Sequence, residues 1–178
     1  MVSPASSDSQ SAHPDDRPVG AVRVDSPISQ ADPPTEIHVE TATMQRKASC
    51  ACGQLWLQAE GDPIRVSLCS CLECQRRTGS AIAAVSHFRR EQITAINGDR
   101  KEFTRRSKTN RWVKNHFCPD CGATAYYEAE AVPDVIAVPV GAFADPSFPA
   151  PTVFLFEQSK HPWLPLPENV TVYRQGRR

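Results

Sequence analysis

The chain has 178 residues, a formal net charge of zero and 22% charged residues. Nothing in its overall charge steers it toward nucleic acid or an anionic membrane. Apolar residues make up 40%, enough for one domain with a core, and no run approaches the about 18 apolar residues of a membrane-spanning helix.

Residues 1–43 are rich in Ser, Pro, Asp, Ala and Gln and contain no aromatic side chain. Such a stretch buries too little apolar surface to offset its ordering entropy, so it is expected to be a disordered tail. Its start has no basic segment leading into an apolar core, and Asp8, Asp15 and Asp16 argue against a transit peptide. The expected setting is cytoplasmic and reducing. A folded domain is expected over 44–178.

The first strand signal is Gln54–Glu60, which alternates with Leu55, Leu57 and Ala59 on one face. Cys52-Gly53 before it reads as a tight turn, and Gly61-Asp62-Pro63 breaks it. Ile64–Leu68 alternates again and leads into Cys69. Leu72–Thr78 is expected to make a short helical turn ending at Gly79. Ser80–Phe88 fits helix or strand by pattern, and its strand neighbours favour strand. Asn97-Gly98 is a hairpin-turn signal. Strands are expected over 101–106 and 111–117, joined at 107–110, then over 123–128, with Tyr126 and Tyr127 on opposite faces. Val135–Val140 and Val153–Phe156 are two more, and the proline-rich segment around Trp163 is expected to be extended. The fold class is therefore mostly β, a small multi-sheet domain with almost no helix.

All seven cysteines fall into three close-spaced groups: Cys50-Ala51-Cys52, Cys69-Ser70-Cys71-Leu72-Glu73-Cys74 and Cys118-Pro119-Asp120-Cys121. Seven is an odd number, and close spacing outside a secreted scaffold points to metal ligation or redox chemistry. Structural zinc takes four tetrahedral ligands. Cys50, Cys52, Cys118 and Cys121 can supply them, stapling the first strands to the middle ones. A redox dithiol and buried free cysteines are the competing readings. Cys69, Cys71 and Cys74 then supply three thiolates to a second zinc with one open position, the pattern of a catalytic site. Three thiolates make that metal electron-rich and suit it to thiol chemistry. Here the competing readings are a fourth ligand from His87 or His116, or a disulfide within the triplet.

Glu73 is either a proton relay or a solvated carboxylate. Arg76 and Arg77 either hold a carboxylated substrate or offset the charge of the thiolate centre. Residues 99–116 carry seven basic side chains against two acidic ones. That hairpin is either a nucleic-acid or protein contact or a solvated face, and the scarcity of aromatics favours the latter.

The order C-x-C-G, C-x-C-x-x-C, C-P-x-C-G resembles the glutathione-dependent formaldehyde-activating enzyme family, which includes centromere protein V. The resemblance runs from 47 to about 165. It includes Gln75-Arg76-Arg77-Thr78-Gly79, Asn97-Gly98, Phe117–Gly122, Val140-Gly141 and Trp163. It implies a β-tent, Mss4-like fold with two zinc ions per chain. Cys50, Cys52, Cys118 and Cys121 would hold the structural one, and Cys69, Cys71 and Cys74 the catalytic one. The implied activity is that of a carbon–sulfur lyase joining glutathione to formaldehyde. Two other readings stay open: a related enzyme using another thiol or aldehyde, and a zinc-stabilised binding module. Ser70 departs from the family pattern, in which many members have His between the first two cysteines of the triplet, and bears on proton relay or substrate choice.

Overall fold

In the computed structural model, residues 44–107 and 109–176 are described, so the expected disordered tail of 1–43 lies outside the described residues. Among the described residues eleven strands form two sheets, and there is one α-helix. The strands are β1 (Gln45–Ser49), β2 (Trp56–Glu60), β3 (Arg65–Cys69), β4 (Ala83–Arg89), β5 (Ile93–Asn97), β6 (Lys101–Arg106), β7 (Trp112–Phe117), β8 (Thr124–Ala129), β9 (Val135–Pro139), β10 (Val153–Leu155) and β11 (Thr171–Tyr173). The helix, α1, is Leu72–Thr78. The expected mostly-β class is what the structure shows. Among the described residues no helix is long and apolar enough to cross a membrane.

The smaller sheet has the order β1-β2-β5 and the larger β11-β10-β3-β4-β9-β8-β7-β6. Pairing is antiparallel except on both sides of β10, which runs parallel to β3 and to β11. The alternation read in the sequence sets the packing. Leu55, Leu57 and Ala59 are each fully buried. They meet Val66, Phe88, Tyr126, Ile136 and Val138 in one core cluster. Burial of each large side chain there contributes about 1.5–3 kcal/mol. Phe143 and Phe148, stacked with ring centroids 4.6 Å apart, belong to the same cluster.

The opposite face of the larger sheet carries the site. In β3 and β4, Val66 and Ser86 pair on the core side, while Ser67 pairs with Val85 and Cys69 with Ala83 on the other. Ala83, Val85 and Ala137 form a second cluster, with Cys74 of α1 and Tyr127 packed against it. Tyr126 and Tyr127 thus face opposite sides, as expected.

Asn97-Gly98 does not close a hairpin. β5 pairs with β2 in the small sheet, whereas β6 pairs with β7 in the large one. The turn carries the chain between sheets. Gly98 has φ +99°, and a Cβ there would run into the Gln54 carbonyl, so the glycine answers a close backbone approach. Strands β1 and β11 carry no sequence signal, because only Ala48 in β1 is buried and β11 has three residues, none of them buried.

Candidate metal centres

Two loops of matching construction bring the outer cysteines together. The Cys50 N–H donates to the Leu55 carbonyl at 2.8 Å, and Cys118 N–H to the Ala123 carbonyl at 3.0 Å. Gly53 N–H donates to Cys50 O, and Gly122 N–H to Cys118 O, both at 3.0 Å. Each loop buries its first sulfur and exposes its second: Cys50 and Cys118 are buried, Cys52 and Cys121 exposed. The Sγ of Cys52 lies 3.4 Å from that of Cys50 and 3.6 Å from that of Cys118. All four ligand atoms fall within 4.8 Å of one another. A tetrahedral zinc with sulfurs at about 2.3 Å separates them by about 3.8 Å, so the spacing fits. The seven cysteines are free, which sets aside the disulfide reading of the triplet.

Backbone amides support these sulfurs. Leu55 N–H donates to Cys50 Sγ at 3.2 Å. The Ala123 and Cys52 amides pull the Cys121 thiol down to about 6. At Cys52 the Gln54 amide pulls the same way, but shared hydrogen bonds with Cys50 and Cys118 prevail and push it up to about 12. Gln54 also enters from its side chain, with Nε2 3.5 Å from Cys118 Sγ. No sequence motif marks Gln54 for this role.

The triplet forms where β3 ends and α1 begins. Cys71 caps the helix, its Sγ accepting from Cys74 N–H at 3.4 Å. Its sulfur, with those of Cys69 and Cys74, falls within 4.8 Å. Cys69 is buried and the other two are partly exposed. Thiol hydrogen bonds from Cys69 and Cys74 pull Cys71 far below the usual thiol range, and its bond to Cys71 pushes Cys69 far above it. Among the described residues no histidine or carboxylate joins either sulfur group. His116 is buried between Glu102 and Glu128, with a carboxylate oxygen 3.3 Å from each ring nitrogen. His87 sits in β4 opposite Arg65, four residues along the strand from the partner of Cys69. Neither completes the triplet.

The neighbouring residues divide clearly. Ser70 is fully buried, and its hydroxyl donates to the Phe156 carbonyl at 2.7 Å; it ties the triplet to the C-terminal segment. Gln75 does the same, Nε2 donating to Ser70 O at 2.8 Å and Ser159 O at 3.0 Å. Glu73 and Arg76 pair at 2.7 Å on the solvated side of α1. Arg77 instead packs over the Tyr127 ring, its guanidinium carbon 5.0 Å from the centroid.

A mostly β domain with clusters of four and three cysteines, each able to hold a metal ion, is the class of protein these features define. The profile of the glutathione-dependent formaldehyde-activating enzyme family matches residues 45–159, more than half of the chain, and the chain belongs to that family. Among solved structures, the crystal structure of a Rhodobacter sphaeroides protein is 21% identical, over 54% of this chain and 85% of that one, with a TM-score of 0.43. No significant match is found among curated proteins.

Proposed function

We propose that the protein is a carbon–sulfur lyase of the glutathione-dependent formaldehyde-activating type, with Cys69, Cys71 and Cys74 as its reaction centre. The observation that carries this reading is the convergence of three sulfurs with no fourth side-chain ligand among the described residues. Zinc held by those three thiolates would supply an open Lewis-acidic position that favours the deprotonated form of an entering thiol. Cys50, Cys52, Cys118 and Cys121 would hold a second zinc whose role is to fix the fold.

In the proposed reaction the glutathione S–H loses its proton, the sulfur bonds to the formaldehyde carbon, and the former carbonyl oxygen takes up a proton. The product is S-hydroxymethylglutathione, and no oxidant or reductant is needed. The chain's own contribution is to hold three thiolates on one side of the reacting sulfur. Ser70 and Gln75 fix the loop that carries them. Of the two arginines, Arg77 is the one turned toward the cluster and suited to a substrate carboxylate. The addition also proceeds without a catalyst, so the acceleration expected is modest. Exchange NMR of the glutathione–formaldehyde equilibrium tests this directly. Unchanged exchange at stoichiometric zinc-loaded protein would sink the reading.

A second reading rests on β6, an edge strand exposed along nearly its whole length, with Phe103 60% exposed. Lys101 and Arg105 flank it on the same face. A binding module would use this edge to contact nucleic acid or protein. A salt-dependent shift of a labelled duplex, lost on replacing Arg105 and Arg106 by Ala, would favour it over the enzyme.

A further inference from the structure

The four-sulfur centre spans the two sheets. Cys50 and Cys52 lie on the turn from β1 to β2 in the smaller sheet, and Cys118 and Cys121 on the turn from β7 to β8 in the larger. The two turns divide their sulfurs in the same way. Cys50 is 4% exposed and Cys118 fully buried, and both belong to the main core cluster. Cys52 and Cys121 are exposed. The buried sulfurs are also held in place: Leu55 N–H donates to Cys50 Sγ, and Gln54 Nε2 lies 3.5 Å from Cys118 Sγ. The exposed pair has room to move. A glycine follows each, Gly53 or Gly122, and a Cβ built on either meets no atom within 4 Å.

A dissolved oxidant therefore reaches one sulfur from each turn, and these two lie within 4.8 Å of each other. A disulfide brings its sulfurs to about 2 Å, so a shift of less than about 3 Å, shared between the open sides of two turns, closes the bond. Bonds inside a turn are disfavoured by the same packing. Cys50 and Cys52 are only 3.4 Å apart, but joining them draws a core sulfur off its amide donor and closes a ring over one intervening residue. Joining Cys118 to Cys121 draws on a sulfur that solvent does not reach.

We infer that Cys52 and Cys121 are a peroxide-sensitive pair, and that their oxidation turns the four-sulfur centre from a metal site into a disulfide bridge between the two sheets. The sulfur struck first attacks a peroxide oxygen, the O–O bond breaks, and a sulfenic acid forms. The second sulfur attacks the sulfenic sulfur; the S–S bond forms, the S–O bond breaks, and hydroxide leaves with a proton as water. With hydrogen peroxide, two thiols and one peroxide give one disulfide and two waters, the sulfurs supplying both electrons. Zinc held by the four cysteines would lose two thiolate ligands and depart, while the bridge keeps the turns joined and Cys50 and Cys118 stay as thiols in the core. None of this depends on the reaction proposed at the triplet.

The test is peptide mapping of the zinc-loaded protein after graded hydrogen peroxide, with zinc release read by a chromophoric chelator in the same samples. Trypsin places the three cysteine groups on separate peptides, 48–65, 66–76 and 115–160. The expected product joins 48–65 to 115–160, with Cys50 and Cys118 alkylated as thiols only after denaturation. Its yield should rise in step with zinc release in Cys71→Ser, where the four-sulfur centre alone is expected to hold zinc. Dithiothreitol and added zinc should restore the metal, and the oxidised protein should keep a cooperative melt. Cys52→Ser and Cys121→Ser should each lose the cross-link. Bonds within one peptide, a cross-link through Cys50 or Cys118, or sulfinic and sulfonic acids in place of a disulfide would overturn the assignment. So would peroxide that consumes the triplet thiols and leaves the zinc of the four-sulfur centre in place. The wild-type map needs no variant to fold.

Discussion

Gly98→Ala is a sharp test of how the inter-sheet turn supports the four-cysteine centre. At φ +99° an L side chain is strained whatever space surrounds it, at a cost of about 1–2 kcal/mol. Here the new Cβ also meets the Gln54 backbone carbonyl and side chain. Gln54 must then shift, and its side chain makes three bonds: Oε1 accepts from Asp99 N–H at 2.6 Å, and Nε2 reaches Asp99 O at 3.0 Å and Cys118 Sγ at 3.5 Å. Neutral bonds contribute about 0.5–1.5 kcal/mol each, toward the low end at this partly exposed site. The total is about 3 kcal/mol, a drop on the order of 10 °C in thermal midpoint. Gly61→Ala is the control. Its φ is +73°, but the nearest atom to a new Cβ is Gln92 Nε2 at an ordinary 3.6 Å, so it should lose only the backbone contribution. Thermal melts followed by circular dichroism give the midpoints, and transfer of zinc to a chromophoric chelator gives the release rate. Equal midpoints for the two variants, or unchanged zinc release in Gly98→Ala, would refute the reasoning.

Ser70→Ala should lower stability by about 1–2 kcal/mol through the bond to the Phe156 carbonyl, with zinc content and glutathione binding retained; calorimetry showing thiol binding abolished would mean the hydroxyl acts on substrate. Zinc analysis should return two ions per chain, falling to one in Cys71→Ser while circular dichroism stays native. Cys118→Ser should unfold the domain, because that buried sulfur lies in the main core. Burial, helped by the nearby Arg65 charge, pushes the His87 imidazole from 6.5 down to about 4. The unfolded chain therefore takes up that proton first. His87 withholds no stability above about pH 6.5, and folding loses up to about 1.4 kcal/mol per pH unit between there and about pH 4. Urea titrations at several pH values should show His87→Gln with a shallower decline than the parent in that window. Parallel curves would count against a buried neutral imidazole.

Much of the architecture could be read along the chain. Alternation at Leu55, Leu57 and Ala59 marked the core face of β2, because a half-buried strand must place every second side chain inside. Cysteine spacing marks two pairs and a triplet, since a short loop brings its own sulfurs close whatever the surrounding fold, whereas the meeting of Cys50 and Cys52 with Cys118 and Cys121 is made by the fold. Other features needed contacts between distant segments. Asn97-Gly98 looks like a hairpin locally and became a crossing between sheets, because β5 and β6 found partners elsewhere. Phe143 ends a single 3-10 turn, Val140–Phe143, and Phe148 lies in a loop, so no period announces either, yet both belong to the core cluster.

At the site the same division holds. The sequence by itself determined which atoms can bind metal, because ligand chemistry belongs to the side chain. Only the tertiary structure decided what surrounds them. Arg76 and Arg77 are equivalent as letters, but the pitch of α1 turns one toward Glu73 and solvent and the other onto Tyr127. Ser70 sits between two cysteines of the triplet in the chain and is sealed beneath the C-terminal segment in space. Burial and partnership depend on segments far apart in sequence, and no local pattern encodes them.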